Sequence, residues 1–557
     1  MRRLLPLQTL GFALLLSACA APQPPAATPA GPASPAVAPL KTPSPGLPPP
    51  AAADKADAAP YGPAVAARFA EPAVRYDTPA FAAGRDDYTR NDELAAALDA
   101  IIAAPARGGT RVAGIDAGRS QQGVPVRALW YSRGGGRPVV MIIAQQHGDE
   151  PAGAEAALVV ARDLATGRLA DVLDRIDVVL LPRANPDGAG WASRVSANGL
   201  DINRDHLLLR TPEAQAQAML ALRFSPVVAV DMHEHTVVGR YLEKFGAVQR
   251  NDMLLQYAMT ANYPEALTRA SEQWFRQPLL AAMAAEGMTT EWYYTNPTPA
   301  GDLRLNMGGV QPDTGRNVQG LKNAISILLE SRGVGIGKLH LGRRVHSHVV
   351  ALGSILTSAA RHADALAALQ RQVGAEVAGQ ACGRAAMVLA GQTLEQRDFL
   401  MIDPQTGADT LRRVEWNSAL VLRPLRERNR PCGYWIAADG AALVQRLVEL
   451  GVQVRRLDRT ASMRTEPWTE QSRREIPRPD VRGTAADAGL NIALVQVGLQ
   501  PVTPLEAPAG SWYVPMDQPL GNLVFAALEP DTQNSYFANR LVDRLDAVRR
   551  VVAPPPR

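Results

Sequence analysis

"PVVMIIAQQHGDEPAGAEAALVVARDLAT", residues Pro138 to Thr166, passes from an apolar run through a polar loop into a helix. Pro138 to Ala144 reads as a strand buried on both faces. Gly148, Asp149 and Pro151 turn the chain, and from Glu150 to Thr166 the apolar residues recur at the spacing of an amphipathic helix. The same design returns in "IDVVLLPRANPDG" (Ile176–Gly188), "SPVVAVDMHEH" (Ser225–His235) and "NAISILLESRG" (Asn323–Gly333). Ahead of them, "DELAAALDAIIAA" (Asp92–Ala104) is helical. "RVAGIDAG" and "VPVRALWYS" alternate like paired strands around "RSQQG". Apolar strands with polar ends, alternating with helices, predict an α/β fold with a mostly parallel or mixed central sheet flanked by helices. In such sheets the site lies at the carboxyl ends of the strands, so the polar ends should meet in one crevice.

Those ends carry chemistry. His147 and Glu150 offer two metal ligands, and a zinc site of the catalytic kind wants three with a fourth position open. The third should come from another strand end, where "VDMHEH" offers both His233 and His235. A carboxylate closing an apolar strand, such as Glu330, is most often a solvated strand end, and an isolated "NPDG" is most often a tight turn. The composition, 58 basic against 54 acidic residues, has no basic tract suited to nucleic acid.

The order of the motifs is more specific than any one of them. His147-x-x-Glu150, then Asn185-Pro186-Asp187-Gly188, Arg194, Asp201-Ile202-Asn203-Arg204, Asp231-Met232-His233 and a strand ending in Glu330 resembles the zinc metallocarboxypeptidases of the carboxypeptidase A type, in a bacterial branch. The resemblance spans roughly residues 92–375. It implies that His147, Glu150 and His233 bind Zn2+, with His233 preferred to His235 because the family's third ligand follows an apolar residue, here Met232. It implies that Asp201 receives the other ring N–H of His147, fixing its tautomer. Asn203 and Arg204 match the pair that holds the substrate's terminal carboxylate. Arg194 matches the residue that polarises the scissile carbonyl, and Glu330 the general base that activates the attacking water.

The sequence departs from the family in places. A substrate-capping tyrosine is expected some twenty residues before Glu330, yet "LRLNMGGVQPDTG" has none, and Tyr293 and Tyr294 are the nearby candidates. Asp205 stands where many relatives carry an aromatic residue or Asn. The implied function is hydrolysis of the C-terminal peptide bond of peptides, cell-wall peptides among them. Zinc deacylases of the aspartoacylase or succinylglutamate type use the same His, Glu, His and Glu. "NPDG" with "DINR", together with export, favours the peptidase. A non-catalytic envelope binding protein on a decayed peptidase fold is the third reading, and the intact ligand set with Glu330 opposes it.

The ends of the chain speak to location. "MRRLLPLQTLGFALLLSACAAP" has basic residues, a short apolar core and a small-residue site, the marks of a secretory signal. Leu16-Ser17-Ala18-Cys19 resembles a bacterial lipobox, which implies lipidation at Cys19, a membrane anchor and an outer-membrane lipoprotein facing the periplasm. From Ala20 to Pro60, 27 of 41 residues are Ala or Pro, too little apolar surface to offset ordering entropy. The expected organisation is signal 1–19, disordered tether 20–75, catalytic domain 76–375 and a smaller α/β domain 376–557 of unassigned role. In the last, "CGYWIAADGAALVQRLVELGVQVRRL" reads strand, helix, strand. Gly342–Ala375 reads as a long helix or helix pair, with His346, His348 and His362 at solvated positions. Cys382 and Cys432 are either a disulfide or two buried thiols.

Overall fold

The computed structural model describes residues 60–297, 299–478 and 491–555. The expected signal, Cys19 and the Ala/Pro run as far as residue 59 lie outside the described residues. The strands are β1 (Arg111–Arg119), β2 (Pro125–Ser132), β3 (Val139–Ala144), β4 (Asp177–Leu181), β5 (Val228–Thr236), β6 (Met253–Tyr257), β7 (Thr290–Trp292), β8 (Tyr294–Thr295), β9 (Arg304–Met307) and β10 (Ile325–Val334). All but β8 and β9 form one sheet, in the order β1-β2-β4-β3-β5-β10-β6-β7. The apolar runs supply its parallel centre, β4-β3-β5-β10. β2 and β6 join that centre antiparallel, so the sheet is mixed.

The inner strands are apolar throughout because both faces are covered. Val140, Ile142, Val178, Leu180, Val228 and Val230 pack into one core with the helices Ala152–Ala165 and Leu341–Arg361. The alternate residues Met141, Ile143, Val179, Leu181 and Ala229 face the opposite core with Leu220 of the helix Pro212–Phe224.

Several expectations are corrected. The helix Ala152–Ala165 is buried almost all round rather than amphipathic. The segment before residue 90 crosses its polar side, where buried Glu155 accepts from Thr78 Oγ1 (2.5 Å) and Thr89 Oγ1 (2.9 Å). The tether cannot extend to residue 75. Tyr61, Val65 and Phe69 are buried against Val237, Val248, Ile336 and Ile402, since aromatic residues here supply the apolar surface that Ala and Pro lack. Gly342–Ala375 does form a helix pair, Leu341–Arg361 and Ala363–Ala378. His348 on it is buried rather than solvated, with Nε2 3.2 Å from the carbonyl of His233, and His362 stacks on Trp274.

Residue 375 is not a physical division. A long hairpin of β11 (Ala385–Ile402) and β12 (Asp409–Asn429) continues the sheet begun by β8 and β9, with Trp416 of β12 level with Leu305 of β9. Phe399, Met401 and Trp416 share a core with Tyr241, Leu254 and Tyr294. Beyond the hairpin, the expected strand, helix and strand are Gly433–Ile436, Ala441–Glu449 and Arg455–Arg456, in a six-stranded sheet. Leu443, Leu447 and Phe525 pack with Leu207, Leu208, Val318 and Leu321 of the catalytic part. Cys382 and Cys432 are disulfide-bonded.

Candidate active site

The first polar strand end is shaped by backbone constraint. Gln145 closes β3 in the left-handed region (φ 51°), and its side chain holds that turn by donating to the Gly148 carbonyl (3.0 Å) and accepting from Arg183 Nε (2.7 Å). A Cβ on Gly148 would fall 1.9 Å from the Gly188 carbonyl carbon, so only glycine lets this loop meet the "NPDG" turn. Asn185 caps the helix Pro186–Trp191 by accepting from Gly188 N at 2.8 Å. Its amide donates to the carbonyls of Gln146 and Val195, both at 3.2 Å. "NPDG" therefore fastens the loop of His147 to the loop of Arg194.

His147, Glu150 and His233 converge, with one ligand atom from each inside a 4.8 Å span, and all three are buried. His147 Nδ1 lies 2.9 Å from Glu150 Oε1 and 3.0 Å from His233 Nδ1, and His233 Nδ1 lies 2.8 Å from Glu150 Oε2. Donors around one tetrahedral Zn2+ stand roughly 3.3 Å apart when each bond is about 2.05 Å, so the three atoms fit one small cation. The outer nitrogens fit as well: His147 Nε2 is 3.1 Å from Asp201 Oδ1, and His233 Nε2 is 2.9 Å from Asp231 Oδ1. A carboxylate on the far nitrogen of each ring directs the Nδ1 lone pairs inward.

The other expected residues are brought to the same place. Arg194 pairs with Asp201 through Nη2 (2.7 Å), and its Nη1 lies 2.9 Å from His147 Nδ1. Asn203 Oδ1 accepts from Gly315 N at 2.9 Å, and Arg204 Nη1 donates to the Asn203 carbonyl at 3.0 Å. Glu330 lies level with His233 across the parallel pair β10–β5. With Tyr293 these residues line a cavity of about 410 Å³.

Other positions resolve differently. His235 lines the cavity but stands outside the ligand cluster, its Nδ1 3.2 Å from the Thr236 carbonyl. Tyr293 and Tyr294 both line the cavity, but the Tyr294 hydroxyl is taken up by donating to Gln249 Oε1 (2.5 Å), which leaves Tyr293 as the stronger candidate for the capping role. Asp205 is structural: it accepts from Arg210 N (3.0 Å) and Thr211 N (2.6 Å). Asp231 has no role in the sequence reading, although it shares a strand face with His233 two residues away. Gln146 links it to His206 through contacts of 2.7 Å on each side.

Residues 103–327 match the family model described as zinc carboxypeptidase. That match identifies a zinc carboxypeptidase segment within the chain. The matched segment takes in His147, Glu150 and His233 and stops just short of Glu330. The chain is 28% identical over 398 residues to Carboxypeptidase 2 of Trichophyton rubrum, covering 70% of this chain and 71% of that protein. It is 28% identical over 212 residues to human (Homo sapiens) Carboxypeptidase D, covering 28% of this chain and 15% of that protein. A metallo-carboxypeptidase structure from Burkholderia cenocepacia aligns with TM-score 0.38 at 18% identity, over 49% of this chain and 70% of that one.

Charge in the site is balanced by contact. Burial works against charge on His233, and the carboxylates of Asp231 and Glu150 overcome it, holding the ring well above its ordinary value. Burial likewise opposes ionisation of Asp201, but Arg194, His147 and Arg204 hold it well below the usual carboxylate range. At His235 burial and the Arg332 cation outweigh the Asp252 carboxylate and push the ring down to about 3.

Proposed function

We propose that this enzyme removes the C-terminal residue from peptides in the bacterial envelope, with peptidoglycan peptides as natural substrates. The observation that carries the reading is one cavity lined by His147 and Glu150, which converge with His233 as a ligand set, by a general-base candidate in Glu330 and by Arg204 beside Asn203. Zinc held by those three residues supplies a Lewis acid for the scissile carbonyl and lowers the pKa of water. Arg204 and Asn203 orient the terminal carboxylate, which fixes the register of cleavage at the last bond. Glu330 takes the proton of the attacking water and delivers it to the leaving amine nitrogen. Arg194, steadied by Asp201, places a cation where the oxyanion develops. Tyr293 closes the side of the cavity near Glu330.

Lipidation at Cys19 would hold the enzyme at the outer membrane, facing the periplasm. A fatty-acid analogue incorporated by the intact chain and lost in Cys19→Ala tests that placement. For the activity, mass spectrometry of muropeptides and a mixed-peptide library should show single residues lost from C-termini, a loss abolished by chelator and restored by Zn2+. Internal cleavage, or release of an acyl group from an acylated amino acid, would contradict it.

A further inference from the structure

We propose that the cavity selects a C-terminal residue bearing a side-chain carboxylate, with Arg204 engaging the α-carboxylate and Arg316 the side-chain carboxylate. The proposal rests on the carboxypeptidase reading above.

The cavity wall carries more cation than its own carboxylates neutralise. Arg194 is paired with Asp201, and Arg304 with Asp302. Glu234, on the same wall, is paired with Arg344. Arg204 and Arg316, in contrast, form no ion pair among the described residues. Arg316 is 4% exposed; it donates from Nη2 to the Gly309 carbonyl (2.9 Å), and its Nε has no hydrogen-bond partner. A buried guanidinium short of a partner is costly, and that cost is recovered when an anion arrives.

The placement of Arg316 is built rather than incidental. It is the second residue of the helix Gly315–Leu321, whose first N–H is held by Asn203, the neighbour of Arg204. A Cβ on Gly308 would lie 2.8 Å from the ring of Tyr293 and 3.0 Å from Arg316 Nη1, so the bare backbone there lets both side chains share one wall. Burial brings the Arg316 guanidinium down to about 10, with the Arg204 cation adding to the effect and Tyr293, Asp231 and Glu330 only partly opposing it. Two cations within electrostatic reach of each other match a ligand with two carboxylates. The nearby wall is completed by the neutral amides of Asn306, Gln392 and Asn417, the last two from the hairpin. A C-terminal Lys would face Arg316 with like charge, and a C-terminal Leu would leave it desolvated and unpaired.

The test uses the zinc-loaded chain and blocked peptides differing only in the last residue: Glu, Asp, Gln, Leu or Lys. The expected kcat/KM for Glu exceeds that for Gln by about tenfold or more, as a charge-assisted hydrogen bond implies. In Arg316→Met the ratio falls to near one, and in Arg316→Lys it is reduced but retained. Calorimetry supplies a readout without turnover: L-glutamate binds more tightly than L-glutamine to the wild type, and equally to Arg316→Met. Should Arg316→Met fail to fold, the wild-type ratios and Arg316→Lys still decide. Equal rates for Glu and Gln, or faster release of Leu or Lys, overturn the acidic assignment and leave the carboxypeptidase reading standing. Release of no C-terminal residue from any peptide overturns the carboxypeptidase reading itself.

Discussion

His147 and His233 each turn one ring nitrogen to a carboxylate and the other to the shared centre, so Asp201 and Asp231 have equivalent duties. His147→Ala and His233→Ala are expected to lose most bound zinc, measured as metal per chain, whereas His235→Ala keeps it. Asp201→Asn and Asp231→Asn are expected to weaken zinc binding about 10–100-fold, read by competition with a chelating dye. Equal affinity in wild type and both variants would mean that these carboxylates do not orient the rings. The ordered motifs made His147, Glu150, Asp201 and His233 legible. Asp231 was legible in principle through its two-residue spacing from His233 on a strand. Arg316 was not, because a buried arginine short of a partner is a property of the packed wall, and "TGRN" carries no trace of it.

The helix Pro212–Phe224 covers the outer face of the sheet and buries an acid in its first turn. Burial pushes Glu213 up to about 7; a hydrogen bond from Gln121 N opposes this, while Asp187 and Asp205 reinforce it. A carboxylate raised in the folded state contributes stability that is complete below its ordinary value of 4.5 and is lost as pH rises through about 7. Glu213→Gln should therefore match the wild type near pH 4.5 and exceed it at pH 8, by on the order of 2–3 kcal/mol for such a shift. Urea unfolding at the two pH values measures the difference, and a variant less stable at pH 8 would contradict it. Strands and helices were readable at this scale because both sheet faces are covered, which writes continuous apolar runs into β3, β4, β5 and β10. The full burial of the helix Ala152–Ala165 was not readable: its polar side is matched by Thr78 and Thr89, more than sixty residues earlier.

Across the whole molecule, the part beyond residue 375 is structural support for the catalytic part and not an appendage. β12 extends the sheet through β9, Gln392 and Asn417 reach the cavity, and Leu207, Val318 and Leu321 are covered by the C-terminal core. A chain ending at Ala375 would expose those residues and leave β9 an open edge. It should show no cooperative unfolding transition and retain no stoichiometric zinc; a stable, zinc-loaded fragment would restore the division at that residue. The strand-helix-strand pattern after residue 375 reads as a second domain, because long-range pairing of this kind leaves no local mark.

The central claim is that Glu330, level with His233 but outside the ligand set, moves the proton in hydrolysis. Glu330→Gln preserves size and removes the base. Zinc content and hydrolysis rate measured on one sample of this variant should give full zinc with turnover lower by about 10²–10⁴. Full zinc with near-normal turnover would contradict the account.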